Sequence, residues 1–150
     1  MKKFIFSLEK VLDFKQQSLD VKKNEIAVLQ AKLHELEEEI EALNEKFIIS
    51  NGRMKKEMQQ GITQNDVAIY KMYFSTLNVQ IQKLLQDKEQ LFEVITQKKS
   101  ELIQINSEIS GFEKLKDKQF TEYSKIKQKS DELAIDEFVS QARSFARWKK

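Results

Sequence analysis

The sequence predicts an all-α protein, a long two-helix antiparallel coiled-coil hairpin with its C-terminal helix overhanging. Three observations predict it. Apolar residues recur at alternating spacings of three and four over two long runs. Proline is absent and glycine occurs only three times in 150 residues. A glycine between the two runs is followed at once by a helix-capping signature. Proline is a main turn residue, so its absence argues against a fold with many turns.

The first run is Ile5, Leu8, Leu12, Leu19, Ile26, Leu29, Leu33, Leu36, Ile40, Leu43, Phe47 and Met54. Written as a and d positions, every a position is apolar, and the d positions fail only at Lys15, Lys22 and Ser50. About seven heptads in one frame exceed the three or four that define a coiled coil.

Two places offer a chain reversal. Asn51-Gly52 is a turn dipeptide, and Gly61-Ile62 precedes Thr63-Gln64-Asn65-Asp66, a capping box in which Thr63 caps a helix start and Asp66 answers its backbone N–H. In an antiparallel pair, a residues face d residues, so the register chooses between them. An apex at Ile62 sets Leu12 against Phe112, Ile26 against Lys98, Leu36 against Lys88 and Phe47 against Leu77, with small Ser50 facing large Phe74. No seam lysine meets another. A turn at Asn51-Gly52 would set Lys15 against Lys88. The expected division is a first arm over 1–58, an apex over 59–64, a paired second arm over 65–123 and an overhang over 124–150.

The second run is Val67, Tyr70, Phe74, Leu77, Ile81, Leu84, Leu91, Ile95, Leu102, Ile105, Ile109, Phe112, Tyr123, Ile126 and Leu133, with Lys88, Lys98, Lys116, Gln119 and Ser130 in its gaps. Gly111 falls off the seam and weakens the helix by about 1 kcal/mol without breaking it. Past Tyr123 the first arm has no residue left to offer. Yet Ile135, Phe138, Val139, Ala142, Phe145 and Ala146 share one helical face. Arg143, Arg147, Trp148, Lys149 and Lys150 crowd the end of that segment. An apolar stripe that the chain cannot cover marks a partner site, and a homodimer through the same overhang is the alternative.

Chemistry is scarce. Without cysteine there is no disulfide, thiolate metal site or cysteine nucleophile. One histidine cannot build the common acid–base or metal constellations, and His34, next to a seam leucine, reads as a surface residue. No phosphate loop, H-E-x-x-H or G-x-S-x-G occurs. The acidic run Glu35–Glu45 reads as a solvated helix face. No enzyme, cofactor or metal is expected. With 26 basic and 24 acidic residues, nothing calls for nucleic acid. The stretch Phe4-Ile5-Phe6 breaks at Ser7 and Glu9, short of a secretory or spanning segment. A cytosolic chain without membrane insertion is expected.

Three stretches together resemble flagellar export proteins of the FliJ family. They are the opening Lys3-Phe4-Ile5-Phe6-Ser7-Leu8-Glu9-Lys10-Val11-Leu12, the apex Gly61–Asp66 followed by Ile69-Tyr70 and Tyr73–Leu77, and the closing segment Asp131–Phe138 with its acid-acid-Phe signature. The resemblance implies a non-catalytic, stalk-like component of the flagellar type III export apparatus, cytoplasmic and held at the cytoplasmic face of the membrane through that apparatus. It implies three partners: the export ATPase FliI, whose ring the open end enters and whose assembly and activity it promotes; the export-gate protein FlhA; and export chaperones. Carried onto this chain, the ATPase-facing residues are Phe4 and Phe6 with Ile135, Phe138, Val139, Ala142, Arg143, Phe145 and Arg147. The gate-facing residues are Leu43, Tyr73 and Leu77, with Lys46 and Ser50 where the family pattern carries aromatics. A general coiled-coil scaffold, a virulence-secretion relative of the stalk, and an RNA-binding helical arm are the other readings.

Overall fold

The computed structural model describes residues 2–148; Met1, Lys149 and Lys150, the last two placed by sequence at the cationic end, lie outside the described residues. Two helices, α1 (Glu9–Gln60) and α2 (Gln64–Trp148), pack against each other as a hairpin, and no strand occurs among the described residues. The chain forms two compact units, one combining the segment up to Leu19 with the segment from Gln104 onward, the other Asp20–Ile103.

Within the second unit the reversal takes three residues. Gly61 has φ 92°, a left-handed conformation that glycine adopts without penalty because it has no Cβ. Its N–H donates to the Met58 carbonyl at 3.3 Å, closing α1. The Asp66 N–H donates to Thr63 Oγ1 at 3.2 Å and the Thr63 N–H to the Asp66 carboxylate at 3.4 Å. This is the reciprocal capping box read from the sequence, and it opens α2. Asn51-Gly52 lies inside α1. Leu77, Ile95, Ile26 and Ile40 are the buried residues of this unit. Beside the reversal, Phe47 and Phe74 set their ring centroids 5.0 Å apart.

The first unit departs from the heptad expectation at its start. The frame begun at Ile5 predicts a seam residue there, whereas residues 2–6 are not helical and Ile5 is 82 % exposed. Phe6 is buried instead, 4 % exposed, against Leu12 and Ile109. An extended segment turns alternate residues to the same side, so Phe4 and Phe6 both face α2 and Ile5 faces solvent. The Phe4 ring meets Phe120 edge-on at 5.3 Å and lies 5.5 Å from Tyr123. The Tyr123 hydroxyl donates to the Lys2 carbonyl, and the Glu9 N–H donates to the Phe6 carbonyl at 3.1 Å where the helix begins. A strap of alternating aromatics closes this unit in place of a first helical turn.

Two outcomes follow. A Cβ at Gly111 would meet nothing within 4 Å, and its backbone is helical, so Gly111→Ala is expected to raise stability by about 0.5–1 kcal/mol. Gly61→Ala is expected to lower it by about 1–2 kcal/mol, from the left-handed backbone. Thermal denaturation followed by circular dichroism reads both. By the same measurement Phe6→Ala is expected to cost about 3 kcal/mol, as for a buried aromatic, while Ile5→Ala stays within about 0.5 kcal/mol.

Candidate partner-binding surfaces

Five lysines hold seam positions, and each reaches a glutamate of the other helix. In the first unit, Lys15 pairs with Glu108 at 2.6 Å and Lys116 with Glu9 at 2.8 Å. In the second, Lys22 pairs with Glu101 at 2.6 Å, Lys98 with Glu25 at 3.0 Å and Lys88 with Glu37 at 3.6 Å. The lysine stem lies along the apolar seam while its ammonium reaches the edge, where a flanking carboxylate accepts it. Hydrogen bonding to Lys22 holds the Glu101 carboxyl below its ordinary value, and Lys98 does the same for Glu25. Glu108 is lowered by its bond to Lys15 and then by Gln104, which donates at 3.3 Å. Lys22 and Lys116 are raised by their bonds to Glu101 and Glu9. The five lysines account for five of the eight positions that interrupt the apolar runs; Ser50, Gln119 and Ser130 are the others. A pairing rule applied to the lysines, with a glutamate sought one place from each facing position, finds them in the sequence.

The ATPase-facing candidates divide sharply. Phe6 is core and Phe4 is half-buried against Phe120 and Tyr123, so both rings are engaged in the chain's own fold. Ile135, Phe138, Val139, Ala142, Arg143, Phe145 and Arg147 all lie on α2 in a stretch, 124–148, in which every residue is exposed. Phe138 is 72 % exposed and Trp148 90 %. Ile126 and Leu133 continue the seam frame into this stretch and are exposed as well. One helix thus carries a seam that is covered up to Tyr123 and, beyond it, an apolar stripe whose residues are exposed. Arg147 stands in its last turn, where a cation suits the negative end of the helix dipole.

The gate-facing candidates also divide. Leu77 is 3 % exposed and belongs to the core of the second unit. Leu43 is half-buried and lines an open groove with Ala42, Lys46, Lys83 and Leu84. Tyr73 is exposed, and its ring lies 6.3 Å from that of Phe74. Ile69 and Met72 in the neighbouring turns of α2 are exposed too, as is Ile49 on α1. Tyr70 turns inward instead and donates its hydroxyl to Glu57 at 2.7 Å, which raises its pKa.

His34 sits on the outside of α1 with its ring 3.0 Å from Glu38. Among the described residues no group of three or more histidine, cysteine, aspartate or glutamate side chains could hold a metal ion. Among the described residues no helix is long and apolar enough to cross a membrane.

The family model described as "Flagellar FliJ protein" matches residues 4–147. That span runs from the aromatic strap through the reversal to the last turn of α2. Comparison with curated proteins and with solved structures finds no match.

The pH dependence of stability follows from the seam pairs. Their carboxylates titrate below the ordinary 4.5 when folded, so below that value the unfolded chain binds more protons. Their contribution is complete above about pH 4.5 and is lost as pH falls through the lowered values. For Lys22 and Lys116, raised above 10.5, the contribution is complete below 10.5 and is lost only as pH rises through the raised values. The expected melting temperature is flat between about pH 6 and pH 9 and falls on acidification below about pH 4.5. Glu101→Gln with Glu108→Gln should flatten the acid limb; a melting temperature unchanged down to pH 3 would refute the assignment.

Proposed function

Since the chain belongs to the FliJ family of flagellar proteins, we propose that it acts as the non-catalytic stalk of the flagellar export apparatus and binds the export ATPase ring through the exposed end of α2. Membership makes it a component of that apparatus, in a family of structural and adaptor proteins rather than enzymes. The finer reading rests on one observation: Ile135, Phe138, Val139 and Ala142 give α2 an apolar face that is exposed among the described residues. A pair of helices held in one register, ending in a single bare helix, suits insertion into a ring whose subunits it can bias by contacting them unequally. Such bias requires contacts that differ between ring states.

The burial of Phe6 and the packing of Phe4 support a reading in which the ATPase contact lies on α2, with Phe138, Val139 and Arg143 at its centre. At the other face, Tyr73 and the groove beside Leu43 support docking of the gate protein FlhA, with Leu77 as the packing beneath it. Chaperone escort belongs to the same reading through the family. In it the chain works on the cytoplasmic side, held at the membrane by the apparatus it serves.

The direct test is ATP hydrolysis by the cognate export ATPase with the full chain and with a version ending at Lys129. Stimulation by the full chain and its loss on truncation are expected. Phe138→Ala should weaken the stimulating interaction by about tenfold, as for an exposed aromatic that anchors an interface. Equal stimulation by the truncated chain would remove the contact from α2.

A further inference from the structure

We propose that the last turns of α2, from Phe138 to Trp148, adsorb to anionic lipid surfaces. The helix presents Phe138, Val139 and Ala142 along one face, and every residue of this stretch is exposed. The row Ile135, Val139, Arg143, Arg147 advances in steps of four, each a turn of about 40°, so Arg143 borders the apolar stripe and Arg147 stands further round on the same flank. Long cationic side chains at that border lay their stems on the apolar surface and extend their charge to a headgroup layer. Trp148, three residues after Phe145, stands at the opposite margin, and tryptophan favours the boundary between hydrocarbon and water.

Charge separates this segment from the rest of the chain. The whole sequence is nearly neutral, with a net charge of +2, yet its last ten residues hold Arg143, Arg147, Lys149 and Lys150 and no acid. Asp136 and Glu137 lie immediately before Phe138 and set the N-terminal limit of the adsorbing stretch. A second copy of the chain is the weaker occupant. The stripe from Ile135 to Ala146 is only about two heptads long, fewer than a stable coiled coil needs, and two such stripes bury less than the roughly 1,000 Å² of a stable interface.

Adsorption of this kind lies in the interface plane and needs no spanning helix. It is independent of the ATPase contact, although the two uses of the stripe exclude each other in time. The lipid surface would hold the free chain where the export gate stands, and the ring would take it from there.

Trp148 is the only tryptophan, so its emission reports the site directly. The full chain is titrated with vesicles of phosphatidylglycerol and phosphatidylethanolamine, and separately with phosphatidylcholine vesicles, with no ATPase present. A blue shift and co-sedimentation are expected on the anionic vesicles, with at least about tenfold weaker binding to phosphatidylcholine and release at about 0.5 M salt. Arg143→Glu with Arg147→Glu should abolish binding while leaving helix content unchanged, because both side chains are exposed. Absence of a shift on anionic vesicles, or equal binding to phosphatidylcholine, overturns the proposal. A blue shift that grows with protein concentration without lipid, matched by dimers in sedimentation equilibrium, overturns it in favour of self-pairing. The ATPase assay can fail or succeed without altering any of these readings.

Discussion

A lysine in the seam of a two-helix protein is tolerated only where a carboxylate on the other helix meets it, and five such meetings hold this hairpin in register. The apolar part of the seam is thin, because two helices cannot enclose much between them. Sliding one helix by a turn would keep many leucines in contact with some other leucine. It would part each of the five lysines from the glutamate it meets here, and Lys98 and Lys88 would face no acid in exchange after a slide of α1 by one heptad toward the open end. Polar seam residues in coiled coils select one alignment in this way, at some cost in stability. The small apolar core supplies adhesion, and the charged pairs supply the alignment.

The same helix behaves differently on either side of Tyr123. Before it, α2 is a coiled-coil strand whose a and d positions are covered, and after it the heptad frame persists through Ile126 and Leu133 without a neighbour. The stripe that follows, from Ile135, is rotated away from that frame. The bare segment is therefore not a longer version of the paired arm. It is patterned for something else, and the strap marks where the division falls: Phe4 packs on Tyr123, and the Tyr123 hydroxyl donates to the Lys2 carbonyl.

Periodicity made most of this legible. The seam positions from Leu8 to Tyr123 and the Thr63–Asp66 box are local or periodic signals, and helix geometry converts them into contacts with no further information. The strap escaped because a heptad frame presumes a helix. Phe4 and Phe6 share a face only if the backbone is extended, and nothing within Lys2–Phe6 announces the change of period before the structure shows it. The ion pairs escaped for another reason, since a lysine in a seam reads as a defect until the opposite helix is aligned and Glu25, Glu101 or Glu108 comes beside it. The candidate surface was legible as a stripe and not as a set of roles. Burial separates Phe6 and Leu77 from Phe138 and Tyr73, and residue type alone does not.

The tight reversal at Gly61–Thr63 has a consequence for how the chain assembles. Every cross-helix contact is nested around it, from Tyr70 with Glu57, 13 residues apart, through Lys98 with Glu25, 73 apart, to Tyr123 with Lys2, 121 apart. The entropy of closing a loop rises with its length, but once an inner pair is made the next has only a short segment left to close. Assembly from the reversal outward, as in a zipper, meets that cost a few residues at a time, whereas assembly from the strap inward meets it all at once. Order in time then runs opposite to order in sequence: the first residues of the chain are the last to find their place, and the first to let go.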